Sequence, residues 1–173
     1  LNAGQLLAEL TWQARRRQTQ DLLVAAQQVL QLLEIQPAAL TALAVTTGPG
    51  SFTGVRIGIS VVKGIGLGLP RPPQVVGIPT LTVTAAPWLD VASGAAPVPI
   101  CACIQAGRGR YNWVWFAAGD WSARPDVPEH CVGTAPELTA DLARHAPQPV
   151  WLCGEIAPDL ADAATLLSHV TLI

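Results

Sequence analysis

The stretch TTGPGSFTGVRIGIS, Thr46 to Ser60, holds the residue types and spacing that come nearest to a chemical site in this chain. A glycine-rich turn opening a helix aims backbone N–H groups and the positive end of the helix dipole at one spot, the geometry with which proteins hold phosphate. A Walker loop needs Gly-x-x-x-x-Gly-Lys-Ser/Thr. Here Gly48 and Gly54 are six apart, and Val55-Arg56 stands where lysine and hydroxyl belong. The dinucleotide pattern fails too, because Thr53 occupies the place of its third glycine. Phosphoryl transfer also needs carboxylates for magnesium. From Ile35 to Leu89 there is no Asp, Glu, His or Cys, and the only charges are one lysine and two arginines. Ser51 has no local base to activate it. The turn formed by Gly48, Pro49, Gly50, Ser51, Thr53 and Gly54 reads as catalytically bare.

The remaining chemistry-bearing residues do not assemble into a site. His130, His145 and His169 have neither the His-x-x-x-His nor the His-Glu spacing of a zinc centre. Glu129-His130 lies in a proline-rich loop, and Asp159 and Asp162 read as surface acids on one helix. Cys101 and Cys103 place two thiols on one face of a strand; with Cys131 and Cys153 they complete no metal spacing and read as free, reduced thiols. No catalytic residue, metal or cofactor is expected.

Around the turn the elements follow from periodicity. Gln5 to Trp12 is expected as a strand, and Thr19 to Leu33 as a helix with Leu22, Leu23, Ala26, Val29, Leu30 and Leu33 on one stripe. Leu43 to Thr47 forms a strand into the turn, and Gly54 to Leu69 a helix stopped by Pro70 to Pro73. A strand at Val75 to Ile78 leads to a helix capped by Thr80 or Thr82. Two strands, PVPICACIQ and RYNWVWFAA, are joined at Gly107-Arg108-Gly109, with Tyr111, Trp113 and Trp115 on one core face. A polar loop from Ala118 to Pro128, a helix at Pro136 to His145, a strand at PVWLCG and a helix at Pro158 to Ser168 complete the order. Strands alternating with helices make an α/β chain of two lobes, 1–90 and 91–173, meeting near Pro87 to Pro99.

The second helix is unusual in holding Gly54, Gly58, Gly64, Gly66 and Gly68. Each glycine costs roughly 0.5–1 kcal/mol against alanine in a helix interior, together about 3–5 kcal/mol. Close approach of another backbone offsets such a cost. Ser60, Gly64 and Gly68, at i, i+4 and i+8, make a flat small-residue stripe that suits either packing against the chain's own sheet or first helix, or an intermolecular contact. Composition agrees with a partnered protein: 50% of residues are hydrophobic and only 13% charged, with a net charge of −2. The Arg15-Arg16-Arg17 cluster reads as a solvated helix approach, so the chain is a poor candidate to grip nucleic acid alone. The longest apolar run, Val55 to Pro70, is interrupted by Arg56 and Lys63 and is too short for a bilayer; with no secretory signal in view, a cytoplasmic location is expected. The chain has no methionine and opens in a turn leading to a strand, so an earlier strand is expected before Leu1.

GPGSFTGVRIGISVVKGIGLGL followed by VVGIPTL resembles the signature of the bacterial TsaB family, also called YeaZ. RRQTQDLLVAAQQVLQ is similar to that family's first helix, and LTALAVTTGPGSFTG to its strand-into-turn. The resemblance implies an actin/Hsp70-like fold of two lobes built on ribonuclease-H-like sheets, with the family's opening strand missing here. It implies a non-catalytic scaffold in tRNA threonylcarbamoyladenosine formation, next to the anticodon, bound to the catalytic subunit TsaD and joined by the ATPase TsaE. The contact is a bundle of the first two helices of each partner, which here gives Leu22, Leu23, Ala26, Leu30, Arg56, Ser60, Lys63, Gly64, Leu67 and Gly68. Homodimers use the same surface in isolation, and tRNA is reached only through the complex. A glycoprotease or an ATP-binding actin-like protein are the alternatives. Gln18 or Thr19 replaces a histidine common in the family, and Gln105-Ala106-Gly107 replaces its Asp-Ala-Arg.

Overall fold

A computed structural model describes residues 4–13, 17–94, 96–119 and 130–173. Arg15, Arg16, Glu129 and most of the 118–128 loop lie outside the described residues. The chain forms two compact units, Leu1–Thr46 with Thr53–Gly77, and Thr47–Phe52 with Ile78–Ile173. The sequence division at 90/91 falls elsewhere.

In the first unit, α1 (Gln18–Leu32) leads through a single 3-10 turn, Pro37–Ala39, to β1 (Ala42–Thr46); α2 (Phe52–Gly68) then crosses to β2 (Gln74–Ile78). The two strands pair with each other. Backbone N–H of Gln74 donates to Thr41 O and that of Thr47 to Ile78 O, each at 2.9 Å, the constant offset of a parallel pair. α1 starts without a side-chain cap and gains an Arg17–Asp21 ion pair at 3.4 Å. It buries no residue completely. The strand expected at Gln5 to Trp12 is not formed: a bridge at Gln5 is its only sheet character. Leu6, Leu7, Leu10 and Trp12 stay exposed, because an extended segment with no neighbouring ladder buries neither face.

The second unit holds the fully buried side chains. Its sheet has the order β5-β4-β3-β6-β7, from β3 (Ile100–Gly107), β4 (Arg110–Phe116), β5 (Cys131–Thr134), β6 (Val150–Gly154) and β7 (Val170–Leu172). β3, β4 and β5 form an antiparallel meander, while β6 adds parallel to β3 and β7 parallel to β6. This is the ribonuclease-H-like sheet the resemblance implies. α3 (Thr80–Ala92) covers one face, where Leu81, Ala85 and Leu89 meet Ile100, Ala102, Val114 and Phe116. α4 (Ala135–Ala143) and α5 (Pro158–Thr165) cover the other, with Leu138, Leu142 and Leu160 against Cys101, Cys103, Tyr111 and Trp113. β3 is buried over its first five residues because both faces are covered.

Three expectations change here. Thr80 and Thr82 do not cap α3: Pro79 is its N-cap, and both hydroxyls are buried without a hydrogen-bond partner. Pro87 lies inside α3 rather than at a lobe boundary. Asp159 is not a plain surface acid, since Tyr111 Oη donates to its Oδ1 at 3.1 Å. Asp141 does the same for the tryptophans, accepting from Trp113 Nε1 at 2.8 Å and Trp115 Nε1 at 2.9 Å. α4 is fixed at its start by a capping box between Thr134 and Glu137. No helix among the described residues is long and apolar enough to cross a membrane.

Candidate partner interface

The glycine turn has a local structural task. Gly48, at φ +105, takes a conformation that a side chain disfavours, and its carbonyl accepts the backbone N–H of Thr80 at 2.8 Å. The turn thereby fastens to the start of α3. Ser51, Gly54 and Arg56 each have interaction partners of their own. Among the described residues, no group of three or more His, Cys, Asp or Glu side chains could hold a metal ion.

α2 has two glycine faces with different neighbours. At 100° per residue, Gly58, Val62, Ile65 and Gly66 point one way and Arg56, Ser60, Lys63 and Leu67 the opposite way. On the inner side a Cβ placed on Gly58 would stand 3.4 Å from Val45 Cγ2 of β1, and one on Gly66 would stand 3.6 Å from Val75 Cγ2 of β2. These two glycines let the helix lie close on its own strands. On the flank between these two faces nothing approaches within 4 Å of a Cβ at Gly64 or Gly68. Arg56, Ser60, Lys63, Gly64, Leu67 and Gly68 are all exposed, Leu67 to 88%. Gly58 and Gly66 lie against the sheet, whereas a Cβ added at Gly64 or Gly68 would meet nothing within 4 Å.

α1 contributes a second apolar feature. Leu22, Leu23, Ala26 and Leu30 line an open cavity of about 510 Å³ together with Trp12, Leu43 and Ile65. Leu22 also lines, with Gly54 and Ile57 of α2, a second cavity of about 340 Å³. The two helices of this unit therefore present neighbouring apolar surface. The structure brings the α1 residues together at one groove and the α2 residues along one ridge. Val24 and Leu32, also exposed, were not singled out by the sequence reading. Their signal was present as apolar positions off the main stripe of α1.

Comparisons with known proteins agree with one another. A family profile described as "TsaD: tRNA N6-adenosine threonylcarbamoyltransferase" matches residues 12–132. The chain is 38% identical over 102 residues to the tRNA threonylcarbamoyladenosine biosynthesis protein TsaB of Escherichia coli K12, covering 58% of this chain and 42% of that protein. It is 34% identical over 105 residues to the protein of the same name from Buchnera aphidicola, covering 61% and 46%. It thus spans less than half the length of these curated relatives. Among solved structures it resembles YeaZ from Pseudomonas aeruginosa, with a TM-score of 0.50 and 29% identity over 68% of this chain and 50% of that one. A second structure, titled an uncharacterized protein with similarity to peptidase YeaZ from Pseudomonas aeruginosa, shares the fold at a TM-score of 0.56 and 24% identity, over 85% and 74%.

Proposed function

This chain belongs to the TsaD-type threonylcarbamoyltransferase family and, within it, to the TsaB/YeaZ branch, and from that premise we propose that it is the non-catalytic scaffold subunit of a tRNA threonylcarbamoyladenosine complex. It binds a TsaD-like catalytic subunit through α1 and the outer face of α2, works with a TsaE-like ATPase in the cytoplasm, and meets tRNA only through the complex. In isolation the same surface supports a homodimer.

One observation carries this reading: the outer glycine positions of α2 are bare while the inner ones are packed. A partner helix lying along Ser60, Gly64 and Gly68 can approach its backbone closely, as small-residue stripes allow. The neighbouring α1 groove then supplies apolar burial, roughly 25 cal/mol per Å² before association costs. The chemistry of carbamoyl transfer is left to the partner, because the turn that opens α2 carries no carboxylate, histidine or cysteine.

The test is a tRNA modification assay with purified TsaD-like and TsaE-like subunits, with and without this chain, alongside Gly64→Leu. Modification that depends on the chain and is lost with Gly64→Leu, whose circular dichroism stays native, is expected. Full modification without the chain refutes the scaffold role.

A further inference from the structure

The carboxyl end of α1 is built against local preference. Glu34, which turns the chain out of the helix, has φ +55, the left-handed conformation in which glycine usually closes a helix. Backbone N–H groups of Leu33, Glu34 and Ile35 close the turn, donating to Val29 O at 3.2 Å, Gln31 O at 3.1 Å and Leu30 O at 2.9 Å. A carboxylate here stands at the negative end of the helix dipole, and the last turn of α1 holds no basic residue to balance it. At this end lies an open cavity of about 550 Å³, lined by Gln27, Gln31, Glu34 and Gln36 with Leu30 and Ile35 as its apolar part. Among the described residues, none of the four polar side chains takes part in an ion pair or a side-chain hydrogen bond.

The lining excludes most ligand classes. An anion meets a carboxylate and a dipole end of its own sign. A divalent metal finds a single carboxylate, short of the oxygen ligands it requires. A purely apolar ligand would strip water from the carboxamides and the carboxylate without replacing their hydrogen bonds. We propose that this cavity binds an alkylguanidinium group. Its five N–H donors face the carboxamide oxygens and the Glu34 carboxylate, and its methylene stem lies on Leu30 and Ile35. Guanidinium suits the site better than ammonium because it is planar and weakly hydrated, and so enters a half-apolar cavity at lower desolvation cost. The group belongs either to a free guanidino compound or to an arginine side chain of another chain. The cavity shares Gln27 and Leu30 with the apolar groove of α1, but its charge comes from Glu34, which does not line that groove. The proposal stands independently of the scaffold reading.

The experiment titrates the full chain with butylguanidinium and with butylammonium, following the side-chain amide signals of Gln27 and Gln31 by NMR. Butylguanidinium is expected to bind with about millimolar affinity, severalfold tighter than butylammonium. Glu34→Gln removes the charge alone, and Glu34→Gly removes the side chain at a φ where glycine is at ease. Each is expected to weaken binding about threefold or more, while Asp162→Asn, the same charge change on α5, leaves it within about 1.5-fold. No movement of the amide signals at about 50 mM butylguanidinium overturns the proposal. So does unchanged binding by both Glu34 variants, or butylammonium binding as tightly as butylguanidinium. N-acetylarginine amide separates the two sources. Affinity within about twofold of butylguanidinium supports an arginine side chain, and clearly weaker affinity, from a backbone the cavity does not admit, supports a free compound.

Discussion

Gly64→Ala should make the isolated chain more stable and its complex weaker. Gly64 lies well inside the 17 residues of α2, and a Cβ there meets no heavy atom within 4 Å. The alanine therefore collects its helix advantage, about 0.8–1 kcal/mol, with no steric offset. For a chain of 173 residues this corresponds to a rise in Tm of about 2–4 °C. Urea unfolding followed by far-ultraviolet circular dichroism should show a higher midpoint at unchanged slope. Gly58→Ala is the internal contrast: its Cβ reaches 3.4 Å from Val45 Cγ2, at the tight edge of ordinary contact, so the same propensity gain is partly or wholly offset. Titration with the TsaD-like subunit reads the second half. If a partner backbone lies on Gly64, the extra methyl weakens the complex while the free chain gains stability. Loss of stability in Gly64→Ala would show that the outer face is packed, and unchanged partner affinity would show that no backbone approaches it closely.

Four other outcomes are expected from the second unit. Asp141→Ala leaves the indole N–H groups of Trp113 and Trp115 without their shared acceptor, and should cost about 2–3 kcal/mol in urea unfolding monitored by tryptophan fluorescence. Burial opposes the charge of Asp141, but the Trp115 and Trp113 donors, with Arg144 and His145 nearby, outweigh it and hold the carboxyl below its ordinary value. Its stabilisation is therefore full above the unfolded carboxylate range, near about 3.9, and fades as pH falls through the lower folded value, so Asp141→Asn should flatten the acid limb of a stability–pH profile. Gly154→Ala would drive a Cβ into Cys103 O at φ +112 and should destabilise by about 3 kcal/mol or more, read as a lowered unfolding midpoint. Burial pushes the thiols of Cys103 and Cys153 up to about 12 and Cys101 well above its usual value, whereas Cys131 is exposed. Ellman's reagent at about pH 8 should find one fast thiol in the native chain, and more than one there would refute this burial.

The elements that show in the sequence are those with enough residues to display a period. α1, α2 and the β3–β4 hairpin differ from their expected limits by one to a few residues at each end, within the usual fraying of boundaries. β5 and β7, at four and three residues, are too short to alternate visibly, and they are strands because β4 and β6 offer them ladders. The converse holds for Gln5 to Trp12, which has strand composition but no ladder to join. The roles of Asp141 and Asp159 depend on β4 lying beside α4 and α5, 26 to 48 residues away in sequence, where no local pattern points. At the proposed partner face the residue types stand in the sequence, but the direction of Gly58 and Gly66 follows only from the phase of α2 against Val45 and Val75.

That phase bears directly on what the helix is for. Gly58 and Gly66 face the chain's own sheet, where an added Cβ would come into contact with Val45 of β1 and Val75 of β2. Gly64 has no such neighbour, and it leaves roughly 0.5–1 kcal/mol of helix stability uncollected, whereas Gly68 ends the helix. The same exposed ridge carries Leu67, whose apolar surface gains nothing from water. Two separate local costs, one in backbone entropy and one in exposed hydrocarbon, thus fall on the same face of one helix. In the proposed complex a close-packed partner helix would use the space at Gly64 and cover Leu67. A subunit that acts by being bound needs both, and that is the physical ground for reading this chain as a scaffold.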